Sequence, residues 1–157
     1  MIEDLKIHLR NPKDKNQKIL NALEDKQEKV EWYAGGQLGA LRHYLGSEAK
    51  IVATAEEGSY SGEVFAIIFV DGIYFLWRDS FGSCSGCDAL DGLDEDKGYD
   101  YIINTMTSVK EFCSIKEVWK YLENPEDYFY ESKEILKKLK ENFNKTKILI
   151  KLKNEIK

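Results

Sequence analysis

The sequence is poor in three residue types that do much of the chemistry and bracing of small proteins. Its 157 residues hold three cysteines, two prolines and two histidines. Three cysteines leave one over from any pairing, which excludes the disulfide framework of a small secreted domain. The histidines, His8 and His43, stand far apart, and no Ser-His-Asp or Cys-His arrangement is legible around them. No apolar run approaches the ~20 residues that cross a bilayer. The first residues, Met1-Ile-Glu-Asp-Leu-Lys, lack the basic start and apolar core of a signal peptide. Internal repeats are absent, as is any linker rich in proline or serine. These absences together predict a soluble, cytoplasmic protein.

What is present is a globular composition, 43% hydrophobic and 32% charged, which excludes disorder. The length suits one domain over residues 1–157. The net charge of −5 conceals an asymmetry. Residues 32–131 hold seven Lys/Arg against eighteen Asp/Glu, whereas residues 132–157 hold nine lysines against three glutamates. An acidic body thus ends in a basic tail, a pattern that bears on partners.

Along the chain, residues up to Arg10 read as a short strand or loose arm. Asn11-Pro12 reads as a helix start, with Ile19, Leu20, Leu23 and Val30 at helical spacing and Gly35-Gly36 as the stop. A shorter helix carries Leu38, Leu41 and Leu45 and ends at Gly46. Three strands follow: Lys50–Glu56, Glu63–Val70 and Ile73–Arg78. The second is apolar on both faces and is therefore expected at the sheet centre. Asp71-Gly72 is a two-residue hairpin signal of type I′.

Beyond an acidic stretch, Tyr99 to about Lys110 reads as one helix. Ser114 and Glu117 form a capping box for a helix with Val118, Trp119 and Leu122. Asn124-Pro125 opens a last long helix, whose stripe of Phe129, Leu136, Phe143 and Ile150 predicts packing on a core. Alternation of Ile148, Ile150 and Leu152 offers a strand as the rival over Lys147–Lys153.

Three regions of the chain offer candidate sites: the cysteine loop, a set of carboxylates and the basic tail. The sharpest local pattern is Gly82-Ser-Cys84-Ser-Gly86-Cys87, between the third strand and the acidic stretch. Gly82 and Gly86 suit a tight turn filled by small side chains, so Cys84 and Cys87 read first as structural. As alternatives, the pair supplies half of a zinc set completed by Cys113 and either His8 or His43, or serves as a thiol redox pair. A nest of N–H groups for an anion is the remaining use of this loop, although no Walker pattern follows. Glu63, Asp79 and Asp88, with Glu56 and Glu57 nearby, would be the carboxylates of a Mg²⁺-dependent nuclease if they converged.

The basic tail offers Lys137, Lys138, Lys140 and Lys145 to an anionic partner. It contains no arginine, and Phe143 is its one aromatic, so it lacks the side chains of specific readers and of single-strand binders. That shortage favours a protein partner or a second copy of the chain over nucleic acid.

The run from Tyr60-Ser-Gly-Glu63 through Asp79-Ser-Phe-Gly-Ser-Cys-Ser-Gly-Cys-Asp88 resembles a motif of small uncharacterised phage and prokaryotic proteins. In those proteins a hairpin leads into a similar Gly-Ser-Cys-x-x-Cys-Asp turn. The resemblance covers about thirty residues and none of the flanking helices. It implies a mobile-element setting and carries no catalytic role.

The expected fold is therefore α+β: a three-stranded antiparallel meander against helices from both chain ends, with a long C-terminal helix. The expected function is a small binding or regulatory protein that works without a cofactor by contacting another macromolecule. The enzyme alternatives are the Mg²⁺ nuclease and the zinc or thiol protein.

Overall fold

The computed structural model describes residues 2–12, 36–57, 62–81, 93–124 and 133–156. Among them are helices α1 (Ile2–Ile7), α2 (Gly36–Tyr44), α3 (Glu95–Thr105), α4 (Ile115–Glu123) and α5 (Lys133–Ile156). Strands β1 (Lys50–Glu57), β2 (Gly62–Val70), β3 (Ile73–Phe81) and β4 (Lys110–Phe112) form one antiparallel sheet in that order. The first helix expected from the sequence and the Cys84–Cys87 loop both lie outside the described residues.

The meander forms because two residues suffice to turn the chain between β2 and β3. Val70 pairs with Ile73, and Asp71 and Gly72 between them have φ of 51° and 79°. Both angles are left-handed, as a type I′ turn demands, and only Gly and a few polar residues such as Asp adopt them readily. β2 sits between β1 and β3 and buries both of its faces, as its apolar run predicts.

Side-chain alternation then divides the core in two. Val64, Ala66, Ile68 and Val70 of β2, with Phe75 and Trp77 of β3, face the layer of α1, α2 and α3. Phe65, Ile67 and Leu76 face the layer of α4 and α5. Trp77 is fully buried, and its indole N–H donates to Thr105 Oγ1 at 2.7 Å. On the other face Ile135, Leu136, Leu139 and Phe143 of α5 are buried, so the Leu136 and Phe143 part of the expected stripe packs on the sheet, while Phe129 and the Ile150 side chain lie outside what is described. Residues 147–153 are helical, and the strand alternative does not apply.

The sheet has four strands and not three. Tyr99 to Lys110 does not form one helix: α3 ends at Thr105 and a 3₁₀ turn occupies Met106–Ser108. Hydroxyls of Thr105, Thr107 and Ser108 donate to the carbonyls of Ile102, Asn104 and Thr105. These bonds satisfy carbonyls that a continuing helix would have used. Val109 is then extended, at φ −70° and ψ 138°, and Lys110–Phe112 pairs with Tyr74–Leu76. A strand of three residues is too short to show a period, which is why the sequence conceals it.

The N-terminal arm also differs from a strand or a loose arm. Ile2–Ile7 is helical, and Leu9 then bridges Leu45, so α2 stops at Tyr44. The Gly46 N–H donates to the His8 carbonyl at 2.7 Å, and a Cβ at position 46 would lie 2.8 Å from that oxygen. Glycine is required there by close backbone approach.

Candidate functional site

Glu63 and Asp79 lie at the same end of the β2–β3 ladder but on opposite faces. Val64 is the partner of Asp79, and Ser80 is the partner of Glu63. Glu63 therefore shares a face with Phe65, where it pairs with Arg78, whose guanidinium lies 5.8 Å from the Phe65 ring centroid. Asp79 shares a face with Trp77. There the Tyr101 hydroxyl of α3 donates to its Oδ2 at 2.6 Å and the Ser80 N–H to its Oδ1 at 2.9 Å. Burial raises the Asp79 carboxyl above its ordinary range, and these two hydrogen bonds partly oppose the rise. The sheet thus separates the two carboxylates instead of bringing them together. Asp88 lies outside the described residues, and among those residues no group of three His, Cys, Asp or Glu is placed to hold a metal ion.

Gly82, Cys84, Gly86 and Cys87 also lie outside the described residues. Cys113 is exposed and free, immediately before α4. Its N–H donates to Glu117 Oε2 at 2.7 Å, while the Ser114 hydroxyl accepts from Glu117 N–H at 3.2 Å. The capping box therefore closes one residue earlier than its usual form, on Cys113 instead of on Ser114.

Both histidines are occupied by carboxylates in the layer that packs on the other face of the sheet from α4. His43 Nε2 lies 3.0 Å from Glu95 Oε1 and ties α2 to α3. His8 stands between Glu48 and Asp71, with Nδ1 at 3.2 Å and Nε2 at 2.8 Å. One imidazole thereby joins the N-terminal arm, the connection before β1 and the hairpin tip. Position 8 carries no local signal of this, because its partners are 40 and 63 residues away.

Negative charge gathers in this layer. Asp94 caps α3 by accepting from Lys97 N–H at 2.8 Å, and Glu95 and Asp96 occupy its first turn. Both placements suit the positive end of the helix dipole. The Tyr44 phenol beneath them is pushed well above its usual range, first by burial and then by Glu95, Asp96, Asp94 and Asp100.

The tail lysines occupy the opposite layer and split into two sets. Lys137, Lys138 and Lys145 are exposed on the outer face of α5, interleaved with Glu134 and Glu141. The spacings Glu134–Lys138 and Glu141–Lys145 are i,i+4 with Glu first, the favourable orientation. That arrangement dilutes the positive charge of the outer face. Lys140 and Lys147 turn towards α4 instead. Their Nζ atoms lie 5.0 and 5.9 Å from the Trp119 ring centroid, and Lys140 also lies 3.6 Å from Glu123. Of the four lysines expected to act together, Lys140 is thus set apart from the other three. Trp119 was not among the expected site residues, since nothing in the tail itself points to a partner on another helix.

Between α5 and the outer edge of β1 runs an open groove of about 360 Å³, with Leu38 of α2 at one side. Asn142 crosses it and donates from Nδ2 to the Thr54 carbonyl at 2.7 Å. The amide takes a position that a further strand would otherwise fill, a common way of guarding a sheet edge.

No helix among the described residues is long and apolar enough to cross a membrane. In comparisons with known proteins, the chain matches no family model, no curated protein and no solved structure.

Proposed function

We propose that the protein is a small cytoplasmic binding protein that works by contacting an anionic macromolecule through α5. The observation that carries this reading is the division of charge across the sheet. α5 holds eight lysines and three glutamates, whereas the first turns of α3 and its cap hold Asp94, Glu95, Asp96 and Asp100 against Lys97. Among the residues whose exposure is described, Ile7 and Ile115 are the large exposed hydrophobics, and neither lies on α5. Charge is what this surface presents. The side chains best suited to catalysis point the same way: Glu63, Asp79, His8 and His43 each make a structural contact.

The reading is tested by anisotropy of a fluorescent DNA duplex and of labelled poly-L-glutamate across a salt series. Binding to at least one probe is expected, weakening as the Debye length falls from about 10 Å at 0.1 M to about 3 Å at 1 M. Changing Lys137, Lys138, Lys140 and Lys145 to Glu together should abolish it. Binding to neither probe, and to no single-stranded oligonucleotide either, would sink the proposal. Cleavage of the duplex in Mg²⁺, stopped by Asp79→Ala, would replace it with the nuclease.

A further inference from the structure

The tail holds one aromatic, Phe143, and it is buried. The fold supplies a second from outside the tail. Trp119 of α4 is half-buried beside Phe143, with ring centroids 6.5 Å apart, and the ammonium groups of Lys140 and Lys147 gather over its ring. Trp77 is fully buried, so Trp119 is the indole that reaches the surface among the described residues. The geometry points to the α4–α5 seam around Trp119 as a binding site for single-stranded nucleic acid: Lys140 and Lys147 leave the indole for phosphates, and a base takes their place on the ring.

This inference rests on the proposed role of α5 and names its partner. Three arguments favour a single strand. An acidic polypeptide would use the lysines but has no need of an indole, whereas an unpaired base presents a π-face that stacks on one. A duplex keeps its bases stacked on each other and has none to spare. Lys140 and Lys147 lie two turns apart on one side of α5, about 10 Å along the axis, so they can engage separate phosphates. Repulsion by the acidic layer does not cancel this attraction. α3 packs beyond the sheet, on the order of 20 Å away, whereas the Debye length at physiological salt is about 8 Å. The seam has no arginine to read base edges from α5, so binding should be indifferent to sequence.

The test is anisotropy of the full chain with a labelled oligo-dT of about twenty nucleotides, a duplex of equal length and labelled poly-L-glutamate. The strand should bind tightest. Trp119→Leu, which keeps apolar bulk but loses the π-face, should weaken it about tenfold, and Trp119→Phe should restore most of the loss. Lys140→Glu with Lys147→Glu should abolish binding at physiological salt. Neutral replacement of the same pair by Gln should lower the slope of log K against log salt by about 1.4. Lys137→Gln with Lys145→Gln on the outer face should change the slope less. Circular dichroism of each variant confirms that it folds.

Failure to bind the strand, or strand binding that Trp119→Leu leaves intact, overturns the inference. Poly-L-glutamate bound more tightly than the strand through the same lysines also overturns it, and leaves the role of α5 standing with an acidic protein as partner. Polyanion binding that survives the loss of every α5 lysine tested overturns both.

Discussion

The two helix layers cover the same sheet with similar apolar side chains, yet they spend their polar residues differently. In the α1–α3 layer the polar groups tie elements together: His8 to Glu48 and Asp71, His43 to Glu95, Tyr101 to Asp79, and Trp77 to Thr105. In the α4–α5 layer Arg78 pairs with Glu63, Asn142 holds the Thr54 carbonyl and Lys140 meets Glu123 and Trp119, while Lys137, Lys138 and Lys145 are exposed on the outer face. Both layers use polar contacts to hold segments together, and the α4–α5 layer in addition leaves lysines exposed to solvent. The difference teaches where to look for function. A group held between two carboxylates, as His8 is, has little left to offer a ligand, whereas the lysines of a long helix beside one half-buried indole carry positive charge to the surface.

The largest effects should come from the sheet that both layers share. Trp77→Ala should cost about 3–5 kcal/mol, since it empties a fully buried site and removes the hydrogen bond donated to Thr105 Oγ1. Leu139→Ala, on the α5 side, should cost about 2–5 kcal/mol. Urea denaturation checks both. Near-neutral Leu139→Ala would mean that α5 is not docked on the sheet, and the comparison of layers would lose its second member.

A smaller effect separates the layers by their polar contacts. His8→Ala should destabilise by about 1 kcal/mol, because its carboxylate partners are themselves largely exposed. Lys140→Ala should cost less, about 0.5 kcal/mol, from a partly solvated contact with Trp119. A larger loss from Lys140 than from His8 would reverse the assignment of holding and binding roles.

Asp79 gives a test with a pH signature. Its carboxyl is raised in the fold, so between the unfolded and the folded value the native state binds more protons than the unfolded one. The stabilisation from that uptake is present at low pH and is lost as pH rises through the folded value. Asp79→Asn removes the buried charge and keeps an acceptor for Tyr101. It should leave stability little changed in acid, raise it modestly at neutral pH and flatten the profile just above the ordinary carboxylate range. A drop at neutral pH would mean that the bonds from Tyr101 and Ser80 outweigh desolvation.

Local chemistry made much of this fold legible. Apolar runs bounded by turn residues located β1 to β3, Asp71-Gly72 set the turn between β2 and β3, and Ser114 with Glu117 marked the start of α4. The stripe of Leu136 and Phe143 anticipated a packed α5. What the sequence hid depends on long-range pairing. β4 is defined only by its neighbour Tyr74–Leu76, and α1 precedes a bridge to Leu45 that no local pattern encodes. The candidate site followed the same division. Lysine enrichment was visible in composition, but the indole that distinguishes Lys140 and Lys147 from their neighbours comes from another helix. The separation of Glu63 from Asp79 was implicit in the β period. It became decisive only once the register placed Asp79 opposite Val64.

If the α4–α5 layer, and not the α1–α3 layer, meets the proposed partner, the two sides of the sheet should answer charge reversal differently. The most direct measurement compares charge reversal on the two sides, by anisotropy with labelled oligo-dT at physiological salt. Lys140→Glu with Lys147→Glu should abolish binding, while Asp96→Lys with Asp100→Lys across the sheet should leave it unchanged or slightly stronger. Equal responses to the two pairs, or a response confined to the α3 pair, would contradict the claim.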